Sequence, residues 1–228
     1  MDQPRICVII PAFNEEKAIG KVIRDIPDFV TKVIVGNNGS TDQTKEVAEK
    51  AGALVVDETR KGYGWACLKG IEASKEFSPD IIVFLDGDYS DFPQEISKLT
   101  EPIIKDNMDM VIGSRVLGKR EKGSLTPQQR FGNWLATRLM RLFYGAKFTD
   151  LGPFRAIKTD KLDALNMTDK TYGWTIEMQI KAAKHKYRFT EVSVDYRKRI
   201  GKSKVSGTVK GTVLAGIKII FAIFKYRF

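Results

Sequence analysis

Two carboxylates separated by one glycine, Asp86-Gly87-Asp88, stand directly after the apolar run Ile81-Ile82-Val83-Phe84-Leu85. Carboxylate oxygens are hard ligands, and a glycine between them lets backbone approach closely, so the triplet suits a divalent cation such as Mg²⁺ or Mn²⁺. A cation of that kind is held by one or two carboxylates and fills out its shell with substrate phosphates. A solvated acidic turn is the plainer meaning of Asp-Gly-Asp taken alone. The preceding run argues against it, because an apolar stretch ended by Asp and Gly reads as a buried strand meeting a loop at its carboxyl end. In open α/β sheets that end is where ligands sit.

Three further apolar runs end in the same way. Ile6 to Ile10 stops at Pro11 and is followed by Ala12-Phe13-Asn14-Glu15-Glu16. Val33-Ile34-Val35 runs into Gly36-Asn37-Asn38-Gly39-Ser40-Thr41-Asp42, where Ser40 or Thr41 is placed to cap the next helix. Ala53 to Val56 leads to Arg60-Lys61-Gly62-Tyr63-Gly64. Amphipathic segments lie between the runs, the first with Ile19, Val22, Ile23 and Ile26 inward and a later one with Leu68 and Ile71 inward. Strands alternating with helices predict an α/β fold with a mostly parallel, Rossmann-like sheet flanked by helices. Four polar, glycine-rich loops then share one edge, as a nucleotide pocket requires. The chain has no Gly-x-x-x-x-Gly-Lys-Ser/Thr loop, and no Gly-x-Gly-x-x-Gly follows the first strand, which argues against P-loop and dinucleotide chemistry.

The totals narrow the chemistry further. At 228 residues, 43% hydrophobic and 29% charged, the chain can bury one sizeable core. Its net charge of +10 suggests a polyanionic partner: nucleic acid, an anionic membrane surface or a phosphorylated substrate. His185 is the only histidine and lies among lysines, so a histidine triad or zinc site lacks its parts. Cys7 and Cys67 offer no disulfide framework and read as buried thiols in a reducing compartment. No run reaches the roughly 20 apolar residues that span a bilayer, and Met1 to Arg5 meets a strand at once rather than opening a signal peptide. The expected location is therefore cytoplasmic.

In the second half, Met110 to Ser114 is a strand ending at Arg115, and Gly118 to Thr126 is a polar, mobile loop. Gln128 to Tyr144 is an amphipathic helix with Phe131, Leu135, Leu139 and Leu142 or Phe143 along one side, punctuated by Arg130, Arg138 and Arg141. Asp150 to Arg155 is a tight polar segment leading to a short strand. Trp174 to Lys184 is a helix carrying Glu177, and Phe189 to Val194 alternates as a strand. The segment Tyr196 to Lys204, rich in Arg and Lys with Gly201 and Ser203 among them, is a plausible phosphate-binding loop. From Gly207 to Phe228 the chain is apolar with Lys210, Lys218 and Lys225 within about 80° of each other on a helix. The opposite face offers Val213, Leu214, Ile217, Ile220, Phe221 and Phe224. Such a helix either lies in a membrane interface with its lysines toward lipid headgroups or packs on the core. The expected division is residues 1–206 as the working domain and 207–228 as this helix.

Taken in order, these segments resemble the family 2 glycosyltransferases of the GT-A fold, and more narrowly the dolichyl-phosphate mannose synthase and polyprenyl-phosphate glycosyltransferase group. The resemblance rests on Pro-Ala-Phe-Asn-Glu at 11–15, Asn-Asn-Gly-Ser-Thr-Asp at 37–42, Lys-Gly-Tyr-Gly at 61–64, Asp-Gly-Asp-Tyr-Ser at 86–90, Gly-Ser-Arg at 113–115, Gly-Pro-Phe-Arg at 152–155 and Gly-Lys-Ser-Lys at 201–204. Each is weak alone; their order and spacing are specific. The resemblance implies inverting transfer of a single mannose- or glucose-type sugar from a GDP- or UDP-sugar to a polyprenyl or dolichyl phosphate. It implies that Asp86 and Asp88 hold the metal on the donor diphosphate, with Gly87 between them and Ser90 nearby. It implies that Pro11, Phe13, Glu15 and Asn38 line the nucleoside, with Lys61 also on the donor. Arg115 and Arg130 would sit around the acceptor phosphate and donor. Lys198 and Lys204 would grip the diphosphate, and Lys202 the acceptor phosphate. Membrane contact would be peripheral, on the cytoplasmic face, through the terminal helix and basic surface.

The implied chemistry suits the composition. A phosphomonoester is already anionic at neutral pH, so no general base is needed; the task is charge management around the departing diphosphate. Relatives usually carry Asp-Asp or Asp-Asn where this chain has Asn37-Asn38. Asparagine donates as well as accepts hydrogen bonds, which puts the base preference in question. The nearest rival is a family 2 glycosyltransferase with a soluble or hydroxyl acceptor, for which Asp150 or Glu177 would be the base. A non-catalytic, nucleic-acid-binding basic module fits less well. Aromatic residues are not interleaved with the basic loop, and the acidic pair would repel phosphates unless a metal were present.

Overall fold

The structure, a computed structural model, describes residues 3–201 and 209–226. In chain order its elements are β1 (Ile6–Ala12), α1 (Ile19–Arg24), β2 (Lys32–Asn37), α2 (Thr44–Lys50), β3 (Leu54–Asp57), α3 (Tyr63–Ser74) and β4 (Ile81–Phe84). They continue as α4 (Ile96–Lys105), β5 (Met110–Ser114), α5 (Pro127–Tyr144), β6 (Arg155–Lys158), α6 (Thr159–Leu165), α7 (Trp174–Lys184), β7 (Phe189–Ser193) and α8 (Val209–Lys225). The seven strands form one sheet in the order β3-β2-β1-β4-β6-β5-β7. β1 to β4 run parallel, β6 is antiparallel to both its neighbours, and β5 pairs with β7 in parallel. The mostly parallel α/β sheet expected from the alternation of apolar runs is present.

Strands buried on both faces have no polar side, and alternate residues feed two cores. Cys7, Ile9, Ile82, Phe84 and Met110 point to the face covered by α3, α5, α6, α7 and α8. Val8, Ile10, Val83 and Val111 point to the face covered by α1, α2 and α4. Pro11 sits inside a central strand, a position usually closed to proline. Here the carbonyls of Ile9 and Ala12 accept from Leu85 and Asn38 respectively. Odd-numbered residues of β1 therefore face β4, and β4 has already ended opposite Ile9. The missing amide of Pro11 costs the ladder nothing.

Three local expectations are corrected. Ser40 and Thr41 do not cap α2. Asp42 does that work, its Oδ1 accepting from the amide (3.0 Å) and the hydroxyl (2.5 Å) of Thr44. Ser40 and Thr41 instead bind Asn14 across the loop edge, through Asn14 N–H to Ser40 Oγ (3.0 Å) and Thr41 N–H to Asn14 Oδ1 (2.8 Å). The polar 118–126 loop is stitched to the segment after β7: Lys119 N–H donates to Asp195, Glu121 N–H to the Tyr196 carbonyl, and Lys198 N–H to Glu121. In α5, capped by Thr126 and Gln129 in reciprocal bonds, the buried face is Ala136, Thr137 and Met140. Of the expected apolar side, Leu139 and Phe143 pack against the core, Phe143 rather than Leu142 taking that place, while Phe131 is 62% exposed, with Trp134 and Leu142 also exposed. Periodicity tells that a helix has an apolar face, not what covers it.

The terminal helix α8 packs on α5 and α7 through Ala222 and Ile223. Phe143 meets Phe224 at 5.2 Å, and Tyr226 donates to Glu177 at 2.8 Å. Its other side keeps Ile217 and Phe221 about as exposed as Phe131, at 60% and 59%. Core packing and an exposed apolar face thus coexist on one helix. Among the described residues no helix is long and apolar enough to cross a membrane.

Candidate active site

Parallel pairing brings the ends of β1, β2, β3 and β4 to one edge, since Ala12 registers with Asn37, Asn37 with Asp57, and Phe84 with Ile9. A cavity of about 360 Å³ opens there. The loop after β1 gives it Pro11, Phe13 and Glu15; the loop after β2 gives Asn38. Lys61 and Gly62 arrive before α3, and Asp86, Gly87 and Asp88 after β4. Eight of the expected donor-side residues are therefore brought together. Ala12, Tyr63, Ala66, Tyr172 and Arg199 complete the wall.

The acidic pair is held from behind. Tyr63 donates its hydroxyl to Asp86 Oδ1 at 3.0 Å. Ser90, almost wholly buried, is not in the wall; its amide and hydroxyl both donate to Asp88 Oδ1, at 2.9 and 2.5 Å. That leaves Asp88 Oδ2 facing the cavity, where Arg199 Nη1 lies 3.1 Å away. Arg199 Nη2 also reaches Glu15 Oε1 at 2.9 Å. Burial, and then the charge of Asp88, push the Asp86 carboxyl up to about 7, because two neighbouring carboxylates resist ionising together. Among the described residues no three His, Cys, Asp or Glu side chains converge on one point. The pair fits a cation that takes one or two protein carboxylates and draws its other ligands from phosphate and water. Asp86, short of full ionisation at neutral pH, is the group such a cation would relieve.

Asn38 is held by the loop it faces. Its two amide hydrogens go to the carbonyls of Glu58 (3.3 Å) and Arg60 (2.7 Å), and its Oδ1 accepts from Gly62 N–H at 2.7 Å. With both donors taken, what Asn38 has left is the second lone pair of its oxygen. The same loop presses on residues 169–173. A Cβ on Gly62 would lie 2.1 Å from the Lys170 carbonyl oxygen, and one on Gly64 2.1 Å from that of Asp169. Gly62 has φ +148°, which also favours glycine. Asp169 accepts from the amides of Thr171 and Gly173 and so shapes the turn that carries Tyr172 into the wall.

The other expected site residues lie elsewhere. Arg115 is locked to Asp150 by Nε and Nη2, both at 2.7 Å, and by its own amide at 2.9 Å. It is mostly buried and does not line the cavity. Arg130 is exposed on the first turns of α5. Lys198 is exposed, with Nζ 3.6 Å from Glu121, while its neighbour Arg199 enters the cavity. Lys202 and Lys204 lie outside the described residues. The two candidate bases are both committed. Asp150 is 1% exposed and holds Arg115. Glu177 has no exposed surface and accepts from Thr168, Asp169, Lys181 and Tyr226. Burial alone would raise its carboxyl; the Lys181 ammonium and the other donors outweigh that and bring it to about 2.

Sequence reasoning passed over Arg199, Tyr63 and Tyr172. Arg199 stood inside the basic segment already singled out, but nothing along the chain told it from Lys198. Tyr63 belonged to the quoted Lys-Gly-Tyr-Gly. Tyr172 carried no signal, since the turn that presents it is defined by contacts with Gly62 and Gly64.

With this geometry in place, known proteins can be compared. The profile of glycosyl transferase family 2 matches residues 7–165. A dolichyl-phosphate hexose transferase of Haloferax volcanii is 32% identical over 214 residues, covering 92% of this chain and 90% of that protein. An undecaprenyl-phosphate mannosyltransferase of Micrococcus luteus is 26% identical over 226 residues, covering 93% and 92%. The crystal structure of glucosyl-3-phosphoglycerate synthase from Mycobacterium tuberculosis, in complex with Mn²⁺, UDP and glucosyl-3-phosphoglycerate, superposes with a TM-score of 0.78. It covers 98% of this chain and 80% of that one at 22% identity, a likeness of fold. The sheet is thus that of the GT-A fold, and the chain belongs to glycosyl transferase family 2.

Proposed function

We propose that the chain transfers one mannose- or glucose-type sugar, with inversion, from a GDP- or UDP-sugar to a polyprenyl phosphate at a membrane surface. The observation that carries this reading is the state of the two acidic residues a hydroxyl acceptor would need. Asp150 and Glu177 are buried and fully engaged by cations and amides, so neither is free to take a proton. An acceptor that arrives as a phosphate anion needs no such base. The names of two relatives, a dolichyl-phosphate hexose transferase and an undecaprenyl-phosphate mannosyltransferase, support the same acceptor class.

In this reading Asp86 and Asp88 hold Mg²⁺ or Mn²⁺ on the donor diphosphate. The ion, when bound, neutralises charge that develops on the leaving diphosphate. Pro11 and Phe13 flank the nucleoside with Glu15, and Lys61 reaches the donor from the opposite loop. Asn38 offers the base an acceptor and no donor, as an aspartate would. That suits the N–H on the pairing edge of uracil or guanine. Ser90 keeps Asp88 aimed. Lys204 adds positive charge for the diphosphate and Lys202 for the acceptor, while Lys198, turned outward to Glu121, does not line the cavity. Arg115 holds the 150–152 turn through Asp150, and Arg130, exposed on α5, is left to offer guanidinium to the incoming phosphate.

The acceptor's chain asks for a membrane. α5 and α8 lie side by side and leave Phe131, Trp134, Leu142, Ile217 and Phe221 exposed. Arg138, Arg141 and Lys225 accompany them. Apolar rings with cations around them are the composition of an interfacial surface meeting anionic headgroups. Purified protein assayed with Mn²⁺, GDP-mannose or UDP-glucose and a polyprenyl phosphate in detergent should yield a glycosyl-lipid phosphate, and Asp88→Ala should yield none. Transfer to a soluble hydroxyl acceptor with none to the lipid phosphate refutes the reading.

A further inference from the structure

Arg199 is aimed into the donor cavity by backbone, not by chance of rotamer. After β7 the chain turns back along the loop that carries the acidic pair: Asp91 bridges to Tyr196, Arg197 N–H donates to the Ser90 carbonyl at 3.0 Å, and Ile200 N–H to the Asp88 carbonyl at 2.9 Å. Arg197 locks this pairing, its guanidinium 3.3 Å from the Tyr89 ring centre and 4.2 Å from that of Phe92. Arg199 lies between those two backbone bonds, and its side chain spans two loops of the site. Nη2 takes Glu15 from the loop after β1, and Nη1 takes Asp88 Oδ2 from the loop after β4.

This is the free oxygen of Asp88, since Oδ1 is saturated by Ser90. A divalent cation on the acidic pair must use the same oxygen. Two cations cannot share it at bonding distance without strong repulsion. The guanidinium is not at its best position either. Among the described residues Arg199 Nε is buried without a hydrogen-bond partner, which leaves an unmet demand for an acceptor. A phosphate oxygen meets that demand, and guanidinium forks match phosphate geometry.

We infer that Arg199 is the resident cation of this site: it neutralises Glu15 and Asp88 in the unliganded protein, yields Asp88 to a divalent metal, and turns its donors to the diphosphate that arrives with it. This rests on the reading of the cavity as a metal and diphosphate site. The consequence is a hand-over. Metal alone competes with Arg199 and binds weakly. Metal and nucleoside diphosphate together bind cooperatively, because the phosphate gives the displaced guanidinium a new partner. The coupling belongs in the usual range of about 5- to 150-fold.

The test is a titration of free Mn²⁺ by electron paramagnetic resonance, with and without UDP or GDP, on the full chain and on Arg199→Gln, Arg199→Met and Arg199→Lys. Arg199→Gln and Arg199→Met should bind Mn²⁺ alone about 5- to 150-fold more tightly than the unaltered protein. UDP or GDP should then improve Mn²⁺ binding less in these variants than in the parent. Arg199→Lys keeps a charge at the position and should stay close to the parent for metal alone. Metal affinity unchanged in both neutral variants, or no Mn²⁺ binding by any of the four proteins, overturns the inference. An undiminished effect of UDP and GDP in the neutral variants overturns the hand-over. If neither nucleotide affects Mn²⁺ binding in the parent, the sugar-donor reading fails, while the metal-only comparison still decides the role of Arg199.

Discussion

Asn38→Asp introduces the acid that only the Asp-Asp form of this segment carries next to Gly39-Ser40, and the structure predicts that it harms this protein. The wild-type amide gives hydrogens to the Glu58 and Arg60 carbonyls and accepts one from Gly62. Aspartate keeps the acceptor and loses both donors. Two net hydrogen bonds account for about 1–3 kcal/mol. A carboxylate oxygen is also left against two carbonyl oxygens at a position only 8% exposed. Unpaired charge at a buried site brings the total to about 3–5 kcal/mol. For a chain of this size that lowers the melting temperature by roughly 6–20 °C at pH 7. Burial and the facing carbonyls raise the new carboxyl above its unfolded value. The folded variant therefore binds the extra proton more readily, and its deficit shrinks as pH falls and a donor hydrogen returns. Asn38→Ala loses the same bonds without adding charge, so its smaller deficit should not vary with pH. Thermal and urea unfolding followed by circular dichroism from pH 5 to 8 measure both. A stable Asn38→Asp at pH 8, or a deficit as flat with pH as that of the alanine variant, refutes the reasoning.

Glu177→Gln should destabilise the chain by about 3–5 kcal/mol at neutral pH, because Lys181 loses its partner beside a buried site. The carboxyl's folded value of about 2 lies below the unfolded one, so its contribution is complete above about pH 4.3 and lost as pH falls toward 2; urea midpoints of the two proteins should converge in that window. Gly62→Ala pushes a methyl into the Lys170 carbonyl and should cost about 1–3 kcal/mol, with weakened UDP or GDP binding by calorimetry; unchanged affinity would show that the 60–64 loop is free to shift. Phe131→Ser with Trp134→Ser should reduce flotation with phosphatidylserine vesicles roughly tenfold and leave the melting temperature unchanged, since both rings are exposed; full retention would remove α5 from the proposed membrane surface.

Local chemistry sufficed to place the β-strand ends and the acidic pair. Ile81 to Leu85 is too apolar to face water on either side, so the chain had to bury it, and the Asp-Gly-Asp that follows had to lie at the sheet edge. The same logic put Pro11, Phe13, Glu15, Asn38 and Lys61 on one rim, because parallel strands set their carboxyl ends side by side. What could not be read along the chain was the partner of each polar group. Arg115 looked free and is locked to Asp150, 35 residues away. Glu177 looked like a base and is saturated by the loop 168–169 and by Tyr226 at the far end of the chain.

Sequence alone determined which elements form and where their polar ends gather, since burial and periodicity are properties of short stretches. Tertiary structure alone decided the choice between neighbours. Lys198 and Arg199 differ by one position, and the pairing of residues 196–200 with the loop 88–91 turns the first outward to Glu121 and the second inward to Asp88. Phe131 and Ala136 lie on the same helix, and the packing of α5 buries the second and leaves the first to solvent. Asn38 became acceptor-only because a loop 20 to 24 residues on folded over it. Each outcome depends on register and contact between distant segments, and pairing of that kind is settled only when the whole sheet and its helices are assembled.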